Sequence, residues 1–277
     1  MPAGVNSVNT NRSALVALQN LGSINRRLDS TQNRVSTGYK VNNAVEDASA
    51  FAIAQGTRAN LKASEAVSQG ISNARGVATV ALAAATSISD LLGDVQKKVT
   101  EGMNAANTTA QQSILNTDFQ NLVTQVNNFI TNAVYNGRNL LSTGSNSVSV
   151  IANIDGSTLT IRSGSNVGNA ATTNFAAAVT LATTTNAAEA LSKTVALVSS
   201  VSTVLGQLGA DTRTIDFQDD FVSRLADATE IGLGAIVDAD LARESARLQA
   251  YQVQQELSVQ TLNIANQRPS VLLALFQ

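Results

Sequence analysis

Ten positions between Val67 and Val99 constrain this chain more than any others. Val67, Ile71, Ala74, Ala78, Ala81, Ala85, Ile88, Leu92, Val95 and Val99 follow one another in alternating steps of four and three. An α-helix turns about 100° per residue, so this spacing lays every one of those side chains along a single seam. Sustained over more than four heptads, it predicts a long helix packed in coiled-coil fashion. The middle of the seam is alanine only, which lets a partner helix approach closely. Gly102 to Thr109 interrupts the pattern. Leu115, Phe119, Leu122, Val126, Phe129 and Ala133 then form a second seam of larger side chains. Large residues facing small ones predict an antiparallel helical hairpin.

The flanking segments are also mostly helical. Over residues 12–36, Ala14, Ala17, Leu21, Ile24, Leu28, Thr31 and Val35 share a face, opposed by Ser23, Arg26, Arg27, Ser30 and Arg34. Residues 44–61 have weak periodicity and read as a connector with some helix. Asn136-Gly137 is a tight-turn signal. The period then changes to two: Val148, Val150 and Ile154, then Leu159 and Ile161, flank Asp155-Gly156 and predict a β-hairpin near 147–163. Residues 164–186, rich in Gly, Asn, Thr and Ala, read as a variable loop. Helical spacing resumes through Leu191, Val195, Val198, Ser202 and Leu205. It continues through Phe217, Phe221, Leu225 and Ala228, loosened at Gly209, Asp211, Gly232 and Gly234.

The last forty residues carry apolar side chains on two sides. Leu241, Leu248, Tyr251, Val259 and Leu262 fall on one; Ala242, Ala246, Ala250, Val253, Leu257 and Ile264 fall on the other. A surface helix needs one apolar stripe, so two stripes require partners on two sides, which an assembly supplies more easily than a monomer. Charge is divided as well. Residues 1–40 hold five cations against Asp29, and residues 216–256 hold nine acids against three arginines. These are either two solvated faces or two chain ends lying side by side, and exposed pairs worth about 0–1 kcal/mol each do not decide between them.

Composition removes much chemistry. The chain has no His, Cys or Trp, so Ser-His-Asp, Cys-His and His-Glu-x-x-His sites are excluded, as are thiolate metal sites. Asp219-Asp220 and Asp238 with Asp240 are candidate metal or acid–base carboxylates, but their simpler reading is helix capping. No catalytic residue, cofactor or metal site is expected. A net charge of −2 gives no global drive toward nucleic acid. Met1 to Asn6 lacks the basic and apolar regions of a signal peptide, and no apolar run approaches a membrane span, so neither a cleaved leader nor membrane insertion is expected.

Several stretches together resemble bacterial flagellins. At the N-terminal end they are Asn9-Thr10-Asn11, the turn Ser36 to Asn42, Glu46-Asp47-Ala48 and Ala52-Ile53-Ala54. Tyr135-Asn136-Gly137 with Leu140-Leu141 resembles the family's junction before its hairpin. Near the C-terminus are Ile236, Asp238-Ala239-Asp240, and Ala265-Asn266-Gln267-x-Pro269 followed by Val271-Leu272 and Leu275.

The resemblance implies a mainly α fold: an elongated helical coiled-coil bundle formed by the N- and C-terminal regions, with a small β-hairpin. Residues 1–40 with 236–277 would form the terminal coiled-coil domain, and 41–235 an outer helical bundle without large outer domains. The implied function is non-enzymatic, a structural subunit polymerising into the flagellar filament for motility. A hook–filament junction protein, with similar terminal helices, is the alternative. Self-assembly would use Leu21, Ile24, Leu28, Val35, Leu241, Leu248, Leu257, Leu262, Ile264, Leu272, Leu273 and Phe276. Thr172, Thr173, Thr183, Thr184 and Thr185 are candidate glycan acceptors, an unmodified loop being the other reading. The implied partners are further copies of the chain, junction and cap proteins and an export chaperone. The implied location is the extracellular filament, reached through the flagellar export apparatus. In the stretch Val95 to Gly102, Lys97 stands in place of an arginine and Glu101 in place of a leucine of the family's receptor-recognised patch, so weak immune-receptor activation is expected.

Overall fold

The computed structural model describes residues 10–175 and 179–274, with side chains described as far as Gln267. Among the described residues there are six helices: α1 (Arg12–Thr37), α2 (Ala48–Gly102), α3 (Thr109–Asn132), α4 (Ser165–Asn174), α5 (Thr184–Val237) and α6 (Leu241–Ala274). Two short hairpins, β1 (Val134–Tyr135) with β2 (Arg138–Asn139) and β3 (Val148–Ile151) with β4 (Thr158–Ile161), complete the order. The fold is mainly α, as expected.

The chain divides into two compact units, with boundaries inside α2 after Ala59 and inside α5 after Ala228. The first holds α1, α6 and the adjoining ends of α2 and α5; the second holds everything between. The division falls well along both long helices rather than at positions 40 and 236.

The second unit is a helical bundle. All ten positions of the predicted α2 seam are buried, and they join one apolar cluster running from Val67 to Val222. α3 returns antiparallel to α2, since Lys98 pairs with Asp118 and Tyr135, just beyond α3, lies against Gly76. A Cβ on Gly76 would sit 2.5 Å from the Tyr135 ring, so glycine there makes room for the aromatic. α3 opens with a capping box in which Thr108 and Gln111 exchange hydrogen bonds, closing two otherwise unpaired helix-end groups. The Nε2 of the buried Gln112 donates to the carbonyls of Gly102 and Leu181, ending α2 and pinning the chain before α5.

The turn Asn136-Gly137 has positive φ at both residues, 47° and 73°, as a two-residue hairpin requires. In the second hairpin Val148 pairs with Ile161 and Ile151 with Thr158; Ile154 lies in the turn rather than in a strand. The Arg162 backbone N–H and guanidinium both donate to Asp211 of α5, the latter at 2.7 Å, which ties this hairpin to the bundle.

Several sequence expectations are corrected. Residues 44–61 are not a loose connector: α2 begins at Ala48, capped by Asp47, whose Oδ1 accepts from the Ala50 N–H. The segment 164–186 is not a loop throughout. It contains α4, whose Val167, Gly168 and Ala171 are buried, and Gly168 is pressed so closely on the 141–143 backbone that only glycine fits. The buried seam of α5 runs Ala187, Ala190, Thr194, Leu197, Val201, Val204, Leu208, Asp211, Ile215 and Val222, one position away from the expected Leu191–Leu205 stripe. Val195 is exposed, as are Phe217, Phe221 and Leu225. The cause is polar residues in the seam. Thr194 donates its hydroxyl to the Ala190 carbonyl and Asp211 is held by Arg162, so both are satisfied while buried. Finally, α2 and α5 are long and apolar enough, by length and composition, to cross a membrane. Their alanines and valines are interspersed with Ser, Thr and Gly, so no continuous apolar run appears, and their periodic buried positions line the bundle core.

Candidate self-association surface

The first unit is built on an antiparallel pair of helices, α1 and α6. Asn11 Nδ2 donates to the Ala265 carbonyl at 2.6 Å, Gln255 Nε2 to Asn25 Oδ1 at 2.8 Å, and Arg34 lies 4.0 Å from Glu244. As residue numbers rise along one helix they fall along the other. The connection is closed where the Lys40 N–H donates to the Val237 carbonyl and the Ala239 N–H to the Gly38 carbonyl. Gly38 ends α1 in the left-handed region, with φ 75°, and its N–H donates to the Arg34 carbonyl, a common helix stop. Asp240 caps α6, its Oδ1 accepting from the Arg243 N–H, whereas Asp219 pairs with Arg75 and Ser68 instead.

On α1 the inward face is Ala14, Ala17, Leu21, Ile24, Leu28, Thr31 and Val35, as the sequence predicts. On α6 it is Glu244, Leu248, Tyr251, Gln255, Ser258, Leu262 and Ala265, in steps of four and three. Three of those seven are polar, which hid the seam from a reading of apolar residues alone. Glu244 is buried at 6% exposure. Its Oε1 accepts from Arg247 at 2.6 Å, while its Oε2 has no partner.

The expected assembly residues therefore separate into two sets. Leu21, Ile24, Leu28, Val35, Leu248 and Leu262 are half-buried between the two helices. Leu257 and Ile264 face outward, with Ile264 63% exposed, and Leu241, in the seam register at the start of α6, is also exposed. Leu272 and Leu273 lie on α6 beyond the described side chains, and Phe276 lies outside the described residues.

Further exposed apolar groups lie outside the expected assembly set: two on α6 that belong to the stripes read from the sequence, and three on α1 that sequence reasoning missed. Val253 and Val259 are exposed on α6, and Leu15, Val16 and Leu18 on α1. The bonds from Asn11 and Asn25 set α1 between those residues beside α6 from Gln255 to Ala265. Leu15, Val16 and Leu18 thus share a level with Leu257, Val259 and Ile264. The signal that could have exposed the α1 residues is their place outside an already complete seam.

Few charges cross the pair. Of the basic α1 residues, Arg34 alone is within ion-pair reach of an acid on α6 among the described residues. The two ends do lie side by side, but apolar packing and amide bonds hold them more than charge does. Among the described residues no group of three or more acids could hold a metal ion. The threonines proposed as glycan acceptors are all exposed: Thr172 and Thr173 on α4, Thr183 before α5, Thr184 and Thr185 in its first turn. The Thr183 hydroxyl accepts from the Asn186 N–H, and the Thr172 hydroxyl donates to the Gly168 carbonyl.

Comparison with known proteins agrees with this architecture. Residues 8–147 match the bacterial flagellin N-terminal helical region, and residues 191–276 the bacterial flagellin C-terminal helical region. Flagellin FljM of Caulobacter vibrioides is 36% identical over 99% of both chains. A flagellin of Brucella melitensis is 34% identical over 98% of this chain and 99% of its own. The crystal structure of Bacillus cereus flagellin superposes with a TM-score of 0.50 at 15% identity, covering 55% of this chain and 88% of that one, and shows the shared fold. With both helical regions matched and full-length relatives above a third identity, the chain belongs to the bacterial flagellin family and is a structural subunit of the flagellar filament.

Proposed function

We propose that the outward apolar face of the α1–α6 pair is the surface on which copies of the chain associate, and that ordering of these helices is coupled to polymerisation. One observation carries this reading. Leu15, Val16, Leu18, Val253, Leu257, Val259 and Ile264 are all more than 40% exposed on one helix pair. Covering a side chain of this kind contributes about 1.5–3 kcal/mol, so seven together oppose the several kcal/mol that association costs. Contacts of this kind, repeated head to tail without closing, build a helical polymer. The full-length match to flagellins favours the filament over the hook–filament junction. Junction and cap proteins, and an export chaperone covering the same face before assembly, are the partners this reading implies. It also implies export without cleavage, which the mass of the filament-borne subunit would check; the same spectrum would reveal glycans on Thr172, Thr173, Thr183, Thr184 or Thr185.

The direct experiment replaces Val253, Leu257 and Ile264 by Ser together. All three face away from the α1 seam, so helix content and thermal melting of the monomer should match wild type while filament growth from seeds stops. Normal filaments from this variant would refute the assignment of the surface.

A further inference from the structure

Two buried side-chain atoms of the α1–α6 unit have no hydrogen-bond partner among the described residues: Arg34 Nε and Glu244 Oε2. One is a donor, the other an acceptor, and both belong to charged groups. Leaving such groups unpaired in the interior costs free energy, so a missing partner is the simplest account of them. The two residues do not supply it to each other. A guanidinium and a carboxylate usually meet through two parallel N–H···O bonds. Here Arg34 Nη1 stops 4.0 Å from Glu244 Oε1, and that oxygen already accepts from Arg247 at 2.6 Å. The ion pair stands open.

Both side chains line a cavity of about 440 Å3 where the end of α1 meets the start of α6. Small-molecule sites have volumes of roughly 300–1,000 Å3. The wall carries four basic and five acidic side chains. Three of the acids are already in use, since Glu46, Asp47 and Asp240 each accept from a backbone N–H. Glu244 is more than nine-tenths buried and keeps one oxygen unused. Lys40, on the same wall, reaches the Ala235 carbonyl only at 3.5 Å. An anion in this cavity would meet Glu244, and a cation would meet Arg34; either would be buried beside a like charge. Among the described residues no group of three or more acids could hold a metal ion. A molecule that is neutral overall and carries both charges side by side avoids each penalty.

We propose that this cavity binds a free α-amino acid in its zwitterionic form. The carboxylate accepts from Arg34 Nε, and the ammonium on the adjoining carbon donates to Glu244 Oε2. One open ion pair becomes two closed ones, with no change in the net charge of the cavity. Lys40 and Arg243 lie on the same wall and are the donors available to the second carboxylate oxygen. Because the rest of the lining is mostly charged, a small or polar side chain fits and a large apolar one does not. The site belongs to the helix pair whose ordering is coupled to polymerisation in the reading above. It rests on that reading, and the filament is the form in which to test it.

The probe is radiolabelled glycine, added while filaments grow and, separately, to finished filaments. Sedimented wild-type filaments should retain it saturably, with one site per subunit, and unlabelled L-glutamine should displace it. Glycine betaine keeps both charges but has no N–H to give Glu244, so it should compete about tenfold less well. Glu244→Gln keeps the shape and removes the charge that holds the ammonium, and Arg34→Gln removes the donor to the carboxylate. Each should weaken glycine retention about tenfold or more. Filaments that retain no glycine saturably overturn the site, as does betaine competing as well as L-glutamine, or uptake unchanged in both variants. If the variants fail to assemble, the betaine comparison on wild-type filaments decides alone. Wild-type protein that forms no filaments sinks the polymerisation reading instead; glycine is then titrated against the soluble chain, where absence of saturable binding overturns the site separately.

Discussion

The α1–α6 pair and the bundle use the same heptad spacing and reach different interiors. In the bundle, seams from α2, α3 and α5 close on one another, and Ile71, Ile88, Leu92, Phe119, Leu197, Leu208 and Ile215 are all fully buried. In the other unit the buried apolar residues among those described are Ala17, Val41, Ala54, Val237 and Ala265, with no leucine, isoleucine or phenylalanine among them. The reason is geometric. Two helices share one seam, and each leaves its opposite side open; a third helix is needed to enclose a core. The bundle supplies its own third helix, while the outer sides of α1 and α6 stay exposed among the described residues. Heptad spacing therefore says that a helix has a partner, not how many sides are covered.

The largest expected effect tests this contrast directly. Phe119→Ala removes a ring from an enclosed site and should lower monomer stability by about 3–5 kcal/mol, read by denaturant melting. Leu257→Ser, on the open face, should change monomer stability by less than about 0.5 kcal/mol and yet slow filament growth. If both substitutions destabilise the monomer equally, the α6 outer face is covered within one chain and the contrast fails.

Next in size is the hairpin clamp. Asp211 is 8% exposed and accepts from the Arg162 backbone and guanidinium. Asp211→Ala should cost about 2–3 kcal/mol, because charge-assisted bonds at a mostly buried carboxylate are lost and the Arg162 N–H keeps no acceptor. A melt indistinguishable from wild type would show that the apolar side chains of β3 and β4, with the bond from Gln218 to the Ala152 carbonyl, suffice to hold the hairpin. Buried polar residues have a different standing in the pair. Glu244 has one oxygen without a partner and occupies a seam position. Glu244→Leu should be neutral or stabilising by up to about 1 kcal/mol, as is common when a buried ion is exchanged for a well-packed apolar group. A loss beyond that would mean the Arg34 and Arg247 contacts hold the pair together.

These same polar residues mark the limit of what the sequence discloses. The α1 face and the α2 seam are legible residue by residue, because every position on them is apolar or, at Thr31, small. The α5 and α6 seams are not, since Thr194 and Asp211 in one, and Glu244, Gln255 and Ser258 in the other, interrupt them. Thr194, Asp211, Glu244 and Gln255 find hydrogen-bond partners in their own helix or in elements distant in sequence, which spacing cannot foresee. A reading that follows apolar residues then moves to the neighbouring stripe, as it does from Leu197 to Val198. α4 is hidden for another reason: its buried face is Val167, Gly168 and Ala171, side chains too small to register as a stripe. The two-sided character of α6 is legible, but which side is open depends on Tyr251 and Leu248 packing against α1, and that becomes visible only in three dimensions.

The smallest effect concerns alkali and separates surface charge from core in the bundle. Lys98 donates to Glu101 at 3.1 Å and lies near Asp118. The hydrogen bond to Glu101, and then its charge, raise the Lys98 pKa above the ordinary 10.5. A group whose folded pKa is raised adds stability that is fully present below its unfolded pKa and is lost as pH rises through the folded value. The contribution should thus be intact at neutral pH and fade above about pH 10.5. Glu101→Gln should lower the melting temperature slightly at about pH 9, with the gap to wild type shrinking toward pH 11–12. A gap that stays constant across that range would assign the loss to packing of the Glu101 side chain at the end of α2. The apolar seam at Val95 and Val99 directly beneath has no titrating group, so it should hold α2 in place through the same alkaline range.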